Sequence, residues 1–276
     1  MTTTNSDAAA FYDEMWRSYA HLDAVSPAAF HRRRVVVRLA AKAARGARAI
    51  LDVGCGQGEL LSELSRALPS ASVSGADLSE QSIADSRKKN PDYDLFVMDL
   101  TDAGFEQKHA ERLGNYDLVV CSEVIEHIED DGLAVRRLRS LLAPGGHLII
   151  TVPGGRMSRF DKVIGHYRHY RPRDLERLMR TNRLETERVL AWGFPFHNVY
   201  RTAVRVASVA TIPRSSKPKR DKAQSGVVSS VLGQAYTVFG KALKPLFYFN
   251  LSRWGEQMVV VAKRPLHERR AHERAG

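Results

Sequence analysis

The chain has 276 residues, 43% apolar and 26% charged, with 19 glycines and 11 prolines, a balance that fits one large globular domain and excludes a disordered or collagen-like chain. Two cysteines exclude a disulfide framework, so a reducing, cytoplasmic setting is expected. The net charge of +11 arises wholly beyond residue 196, where 15 Lys/Arg face 4 Asp/Glu, whereas the first 196 residues balance 27 against 27.

The N-terminal MTTTNSDAAAFYDE has no basic flank and no apolar run, so no secretory signal is expected. Phe11, Met15 and Tyr19 then recur every four residues, as do Val35, Leu39 and Ala43 within a helical run from Ala28 to Ala44. Ala49 to Val53 is a short apolar strand running into a glycine cluster. Leu60, Leu61, Leu64, Ala67 and Leu68 fit one helix face, which Pro69 ends. Ala71 to Ala76 reads as a weak strand closing on Asp77. Leu95 to Met98 runs into Asp99, and Leu118 to Cys121 runs into Ser122 and Glu123. A helix from Gly132 to Leu142 stops at the breaker Pro144-Gly145-Gly146, and His147 to Val152 follows as a buried strand. Pro172 can open a helix holding Leu175, Leu178 and Met179.

Leu184 to Leu190 and Glu256 to Ala262 are the last two strands. The stretch between them is too long for a turn and reads as a helical insertion over 197–250. It comprises a helix from Val199 to Ile212, a Pro/Ser/Lys loop from Pro213 to Ser225, and a helix from Val227 to Phe239. The greasiest stretch, Val227 to Leu251, is broken by Lys241, Lys244 and Pro245, so no membrane-spanning helix is expected. Residues after Pro265 are expected to form a disordered tail. Strands alternating with amphipathic helices indicate an α/β, mostly parallel sheet with helices on both faces. Ligands in such sheets sit at the carboxyl ends of the strands, where the acidic residues above fall.

Asp52-Val53-Gly54-Cys55-Gly56-Gln57-Gly58 joins a strand to a helix. Its glycines allow a tight turn and let backbone N–H groups approach a ligand. The dinucleotide fingerprint G-x-G-x-x-G places its third glycine one residue later, where this chain has Glu59. Asp77, about 20 positions on, can accept hydrogen bonds from both hydroxyls of a ribose. That acid alone does not separate one nucleoside cofactor from another.

Asp52, Asp77 and Asp99 form a series of carboxylates along one crevice. With LDVGCGQGEL, Met98-Asp99-Leu100, CSEVIEHIED and LLAPGGHLIITVP in order, the chain resembles the class I S-adenosylmethionine-dependent methyltransferases over residues 45–195 and the last strand. The resemblance implies a Rossmann-like, seven-stranded, mostly parallel sheet with an antiparallel last strand. It also implies a single domain over 1–265: a helical cover over 1–45, a cofactor-binding core over 46–196, the insertion, and the last strand over 251–265. S-adenosylmethionine would be held by Asp52, Gly54, Cys55, Gly56 and Gly58, with Asp77 and Leu78 at the ribose. Asp99 and Leu100 would edge the adenine, beside Cys121 of the fourth-strand motif. Tyr12 matches a tyrosine that covers the cofactor in many relatives, and fits equally a core aromatic of the N-terminal helix.

Glu123, Glu126 and His127 are spaced i, i+3, i+4. A helix starting after Cys121 would place all three on one face at the carboxyl edge of the sheet. Carboxylates there complement a helix dipole, by about 0.3–1 kcal/mol each when exposed, which leaves the histidine without a reason. Converging carboxylates and an imidazole can instead hold a divalent cation. The E-x-x-E-H turn is similar to that of two metal-requiring branches of the family, the ubiquinone-pathway O-methyltransferases and the small-RNA terminal 2′-O-methyltransferases. In the RNA enzymes a second histidine completes the site, which implies His166 here in preference to His169. Glu123, Glu126, His127 and His166 thus form a candidate site for Mg²⁺, Mn²⁺, Fe²⁺ or Zn²⁺, two imidazoles favouring the last three. The other readings are His166 as a metal-free general base, with Glu123 and His127 beside it, and histidines that are purely structural.

Such a set serves chiefly to deprotonate a hydroxyl, so an oxygen acceptor is expected. A small metabolite or natural product is the first acceptor class. Trp192, Phe194, Phe196, Tyr200, Phe239, Phe247, Tyr248 and Phe249 can line its pocket or pack the insertion onto the sheet. RNA is the second class, favoured by the cationic C-terminal third. Against it, Arg214, Lys217, Lys219, Arg220 and Lys222 lie in a Pro/Ser loop without interleaved aromatics. A third reading makes Arg201, Val204, Arg205, Ala207 and Val209 a basic amphipathic helix at a membrane surface or self-association contact. A solvated loop and tail would carry the same charge.

Overall fold

Ser26 opens the first helix among the described residues, α1 (Pro27–Ala43): its hydroxyl accepts from the Ala29 N–H at 3.3 Å, and Pro27 fills a position where a missing N–H costs nothing. The computed structural model describes residues 26–211, 246 and 254–267. After α1 come β1 (Ala49–Val53), α2 (Glu59–Ala67), β2 (Ser72–Asp77), α3 (Glu80–Lys89), β3 (Asp94–Val97) and the single turn α4 (Phe105–Lys108). They continue with β4 (Tyr116–Ser122), α5 (Asp131–Leu141), β5 (Leu142–Pro153), α6 (Arg159–Val163), α7 (Pro172–Thr181), β6 (Glu185–Trp192), α8 (Phe196–Thr211) and β7 (Gln257–Lys263).

The seven strands make one sheet in the order β3-β2-β1-β4-β5-β7-β6. Neighbours from β3 to β5 pair in parallel, and β7 runs antiparallel to both β5 and β6. The expected seven-stranded sheet with an antiparallel last strand is therefore present. Alternate residues of each strand face opposite sides. Leu51, Val119, Cys121, Ile150 and Val260 pack on Val135, Leu138, Leu175 and Met179 of α5 and α7. Ile50, Leu118, Val120, Ile149 and Val259 pack on Val36, Leu39, Leu61 and Leu64 of α1 and α2. Strands buried on both faces read as continuous apolar runs, which is why the sequence displays them. The strand order reverses between β1 and β4, and that reversal opens the crevice at their carboxyl ends.

Several boundaries differ from the sequence reading. Helix α3 has no apolar period, because its buried residues are Ser82, Ile83 and Ser86. Strand β5 starts at Leu142 rather than His147: Tyr116 pairs with Leu142 and Leu118 with His147, a register shift that accommodates Pro144-Gly145-Gly146. Helix α8 begins at Phe196, earlier than the expected Val199. The expected Phe11–Tyr19 helix, the Pro213–Ser225 loop, the Val227–Phe239 helix and the tail beyond 267 lie outside the described residues, as do Phe247, Tyr248 and Phe249. No helix among the described residues is long and apolar enough to cross a membrane.

Candidate functional site

Strand β1 delivers Asp52 and then turns sharply through Gly54, Gly56 and Gly58, whose φ values are 79°, 54° and 83°. The turn hangs on β2: the N–H groups of Gly54 and Cys55 both donate to the Ala76 carbonyl, at 2.7 and 3.0 Å. Asp77 then fixes the loop with both oxygens, Oδ2 accepting from Gly56 N at 2.9 Å and Oδ1 from Ser79 N at 2.9 Å. Gly54 has no room for a side chain, since a Cβ there would lie 2.2 Å from Cγ2 of Val124. The glycine loop and the E-V-I-E-H segment are thus in direct contact.

Asp52 is almost completely buried, and its Oδ1 has no hydrogen-bond partner. Burial, with the Asp77 charge adding to it, pushes this carboxyl up to about 7, Arg32 opposing. Asp99 lies at the end of β3, its Oδ1 accepting from the Thr101 N–H and hydroxyl, both at 2.7 Å. Leu78 is half-buried between Asp77 and Ser79, and the Leu100 carbonyl accepts from Arg137 at 2.7 Å. The Cys55 and Cys121 side chains belong to the two cores, and burial pushes both thiols well up. They can offer a ligand only their backbone. Tyr12 lies outside the described residues.

The E-V-I-E-H segment is not the helix its spacing suggested. Strand β4 runs on to Ser122, and the Glu123 N–H extends the ladder by donating to the Thr151 carbonyl at 2.9 Å. Glu123 itself is left-handed, with φ 58°, a strained conformation for a residue with a Cβ. A single 3₁₀ turn, Ile125–His127, follows, and the true helix waits until Asp130 caps α5 by accepting from Leu133 N at 2.8 Å. Glu123 therefore shares no helical face with the other two. Its carboxylate accepts from the Thr151 hydroxyl at 3.1 Å and stands 3.9 Å from Arg32.

Glu126, His127 and His166 do meet, with one ligand atom of each within 4.8 Å of the others. Glu126 has no solvent exposure, and neither carboxylate oxygen has a hydrogen-bond partner. Burial, followed by the Glu123 charge, pushes its carboxyl well above the usual range. The His127 and His166 rings stand edge to face at 4.6 Å. Burial, then His127, His169 and Arg201, push His166 down to about 2, so its ring is neutral and offers a lone pair rather than proton affinity.

Of the residues behind His166, sequence reasoning set His169 aside as a ligand and missed Asp161. Nδ1 of His166 lies 3.1 Å from Nε2 of His169, and Asp161 stands 3.7 Å beyond that nitrogen. Ser158-x-x-Asp161 forms a reciprocal capping box at the start of α6, a pattern legible in the sequence. The two arginines of the amphipathic-helix reading of α8 pair with the body: Arg201 with Asp161 at 3.2 Å and Arg205 with Glu256 at 2.8 Å. The side chains of Val204, Ala207 and Val209 lie outside the described residues. Trp192 is buried between the rings of His31 and His197, at 5.2 and 5.4 Å, and so packs rather than lines an open pocket.

A family profile described as a methyltransferase domain matches residues 28–189, more than half the chain. The chain belongs to the class I S-adenosylmethionine-dependent methyltransferases. Among curated relatives it is 40% identical over 97 residues to a ubiquinone biosynthesis O-methyltransferase of Bordetella pertussis, covering 35% of this chain and 39% of that enzyme. An enzyme of the same name from Aromatoleum aromaticum is 31% identical over 171 residues, covering 55% of this chain and 70% of its own length. The chain thus spans about two fifths of the first of these relatives and more of the second. In fold it is similar to a 4+2 cyclase, with TM-score 0.62, 15% identity and coverage of 96% and 98% of the two chains. It is also similar to a putative sarcosine dimethylglycine methyltransferase from Galdieria sulphuraria, with TM-score 0.57, 12% identity and coverage of 86% and 87%. At those identities the likeness is one of fold.

S-adenosylmethionine is the methyl donor that defines this family. An acid poised near 7, with one oxygen lacking a hydrogen-bond partner, predicts how affinity for the cationic cofactor depends on pH. Below about 7 the Asp52 carboxyl is protonated and attracts no cation; above it the carboxylate does. Calorimetry with S-adenosylhomocysteine, which keeps an ammonium group, should show affinity rising about tenfold from pH 6 to 8 and then levelling. Asp52→Asn should flatten that profile. A flat profile in the native chain would dissociate Asp52 from the cofactor.

Proposed function

We propose that this methyltransferase transfers the methyl group to a hydroxyl of a small organic molecule, at a site where Glu126, His127 and His166 hold a divalent cation. The observation that carries this reading is the Glu126 carboxylate, sealed from solvent with neither oxygen hydrogen-bonded, Oε1 standing 4.0 Å from His127 Nε2 and a second imidazole, His166, beside it. A buried carboxylate without a partner costs several kcal/mol unless a cation or a proton compensates it. One carboxylate with two imidazoles suits Mn²⁺, Fe²⁺ or Zn²⁺ better than Mg²⁺. Glu123, held by Thr151 and facing Arg32, takes the part of a neighbouring charge rather than a fourth ligand. That the ubiquinone relatives are O-methyltransferases favours an oxygen acceptor and a small substrate.

In this reading the glycine loop and Asp77 seat the donor, and Asp52 supplies the negative charge its cationic end needs. Gly54 packs on Val124, so the donor's seat and the Glu126 turn are fixed relative to each other. Holding acceptor and methyl in line contributes on the order of 7–11 kcal/mol. A divalent cation, when bound, lowers the pKa of a hydroxyl placed on it. The residues' share is to place that cation and to keep the His166 lone pair unprotonated.

The test is methyl transfer from S-adenosylmethionine over a panel of phenols, catechols and short RNA ends, with chelator and with added Mn²⁺, Zn²⁺ or Mg²⁺. Methylation of a small hydroxyl that chelator abolishes and metal restores is the expected outcome. Full activity in chelator would remove the cation. Preference for RNA with a steep salt dependence would move the acceptor class.

A further inference from the structure

His166 belongs to two groups of side chains. One is the set with Glu126 and His127; the other is Asp161, His166 and His169, whose ligand atoms also lie within 4.8 Å of one another. The second group is a poor cation site. Asp161 Oδ2 already accepts from the N–H and hydroxyl of Ser158, at 2.6 and 2.7 Å, and Oδ1 faces the Arg201 guanidinium at 3.2 Å. A cation there would compete with three donors and sit beside a fixed positive charge. What the group does provide is a rigid neighbour for one nitrogen of His166. The His169 side chain is 3% exposed.

The whole segment is tied to the Glu126 turn. Tyr167 N donates to the Glu126 carbonyl at 2.8 Å, His166 N to the Asp161 carbonyl at 2.9 Å, and Arg168 pairs with Asp131 at 2.7 Å. Of two neutral imidazoles with nitrogens 3.1 Å apart, one donates and the other accepts. If His166 donates from Nδ1, its Nε2 is left as a lone pair; if it accepts, Nε2 carries the proton and cannot ligate. Asp161 does not force the proton onto Nε2 of His169, because Oδ2, the oxygen facing that nitrogen, already accepts two hydrogen bonds and 3.7 Å is beyond hydrogen-bond range.

We infer that His169 is a positioning residue: it accepts the Nδ1 proton of His166 and thereby sets the tautomer that presents Nε2 as a ligand. The inference deepens the cation site proposed above and rests on it for its use, though the tautomer can be read without any metal. Histidines that ligate metals commonly donate their other N–H to a fixed acceptor, and losing that acceptor costs about 10–100-fold in metal affinity.

Long-range ¹⁵N–¹H spectra of the histidine-labelled native chain should show His166 protonated at Nδ1. In His169→Phe, which fills the space but accepts nothing, the ring should shift toward the Nε2–H form. His169→Gln, whose amide oxygen can accept, should restore the native tautomer. Calorimetric titration with Mn²⁺ and Zn²⁺ should then show about 10–100-fold weaker binding for His169→Phe, with His169→Gln recovering most of it. Protonation of His166 at Nε2 in the native chain would overturn the inference, as would equal behaviour of the Phe and Gln variants. If the native chain bound neither metal while the tautomer responded as described, the cation site would fall and the positioning role would stand.

Discussion

Replacing Glu126 by Gln should lower methyl-transfer turnover by about 10²–10⁴-fold while leaving the fold at least as stable. The two halves of that expectation have one cause. In the folded chain the Glu126 carboxylate has no solvent exposure and no hydrogen-bond partner on either oxygen. A side chain kept for stability would be paired; without a cation burial holds this one as the neutral acid, and an amide of the same shape is no more costly to bury. Steady-state assays of Glu126→Gln, with differential scanning of the metal-free protein, check both halves. A variant that melts early and keeps its turnover would show the carboxylate to be structural.

Asp77→Asn should weaken S-adenosylhomocysteine binding by about 100-fold, the equivalent of about 2.7 kcal/mol. Each Asp77 oxygen accepts a backbone N–H at 2.9 Å, one from the glycine loop and one from the start of α3. An amide offers one acceptor and turns its NH₂ end toward an N–H, so the loop loses a fixed point as well as a charge. Calorimetry with S-adenosylhomocysteine reads the loss, and circular dichroism separates it from unfolding. Native affinity in a folded Asp77→Asn would show that the glycine loop is held without it. NAD(H) should show no uptake by the native chain, because Glu59 stands where the dinucleotide fingerprint requires glycine.

The local sequence determined the sheet and the row of acids along its edge. Strands buried on both faces are largely apolar, so β1, β4 and β5 are visible as runs, and Asp52, Asp77 and Asp99 stand at or just past the carboxyl ends of β1, β2 and β3. Helix α3 escaped notice because serines, not leucines, pack its inner face. The helical placement of Glu123 failed for a different reason: periodicity presumes an α-helix, and the chain instead continues β4, turns through a left-handed Glu123 and makes one 3₁₀ turn. Only the tertiary structure decided that Glu123 serves Thr151 and Arg32, and that Glu126 is sealed beside His127 and His166. His166 meets Glu126 and His127 because Tyr167 and Arg168 bind a turn about forty positions earlier in the chain. No local pattern of side chains encodes a contact whose energy is realised only when distant segments are already packed.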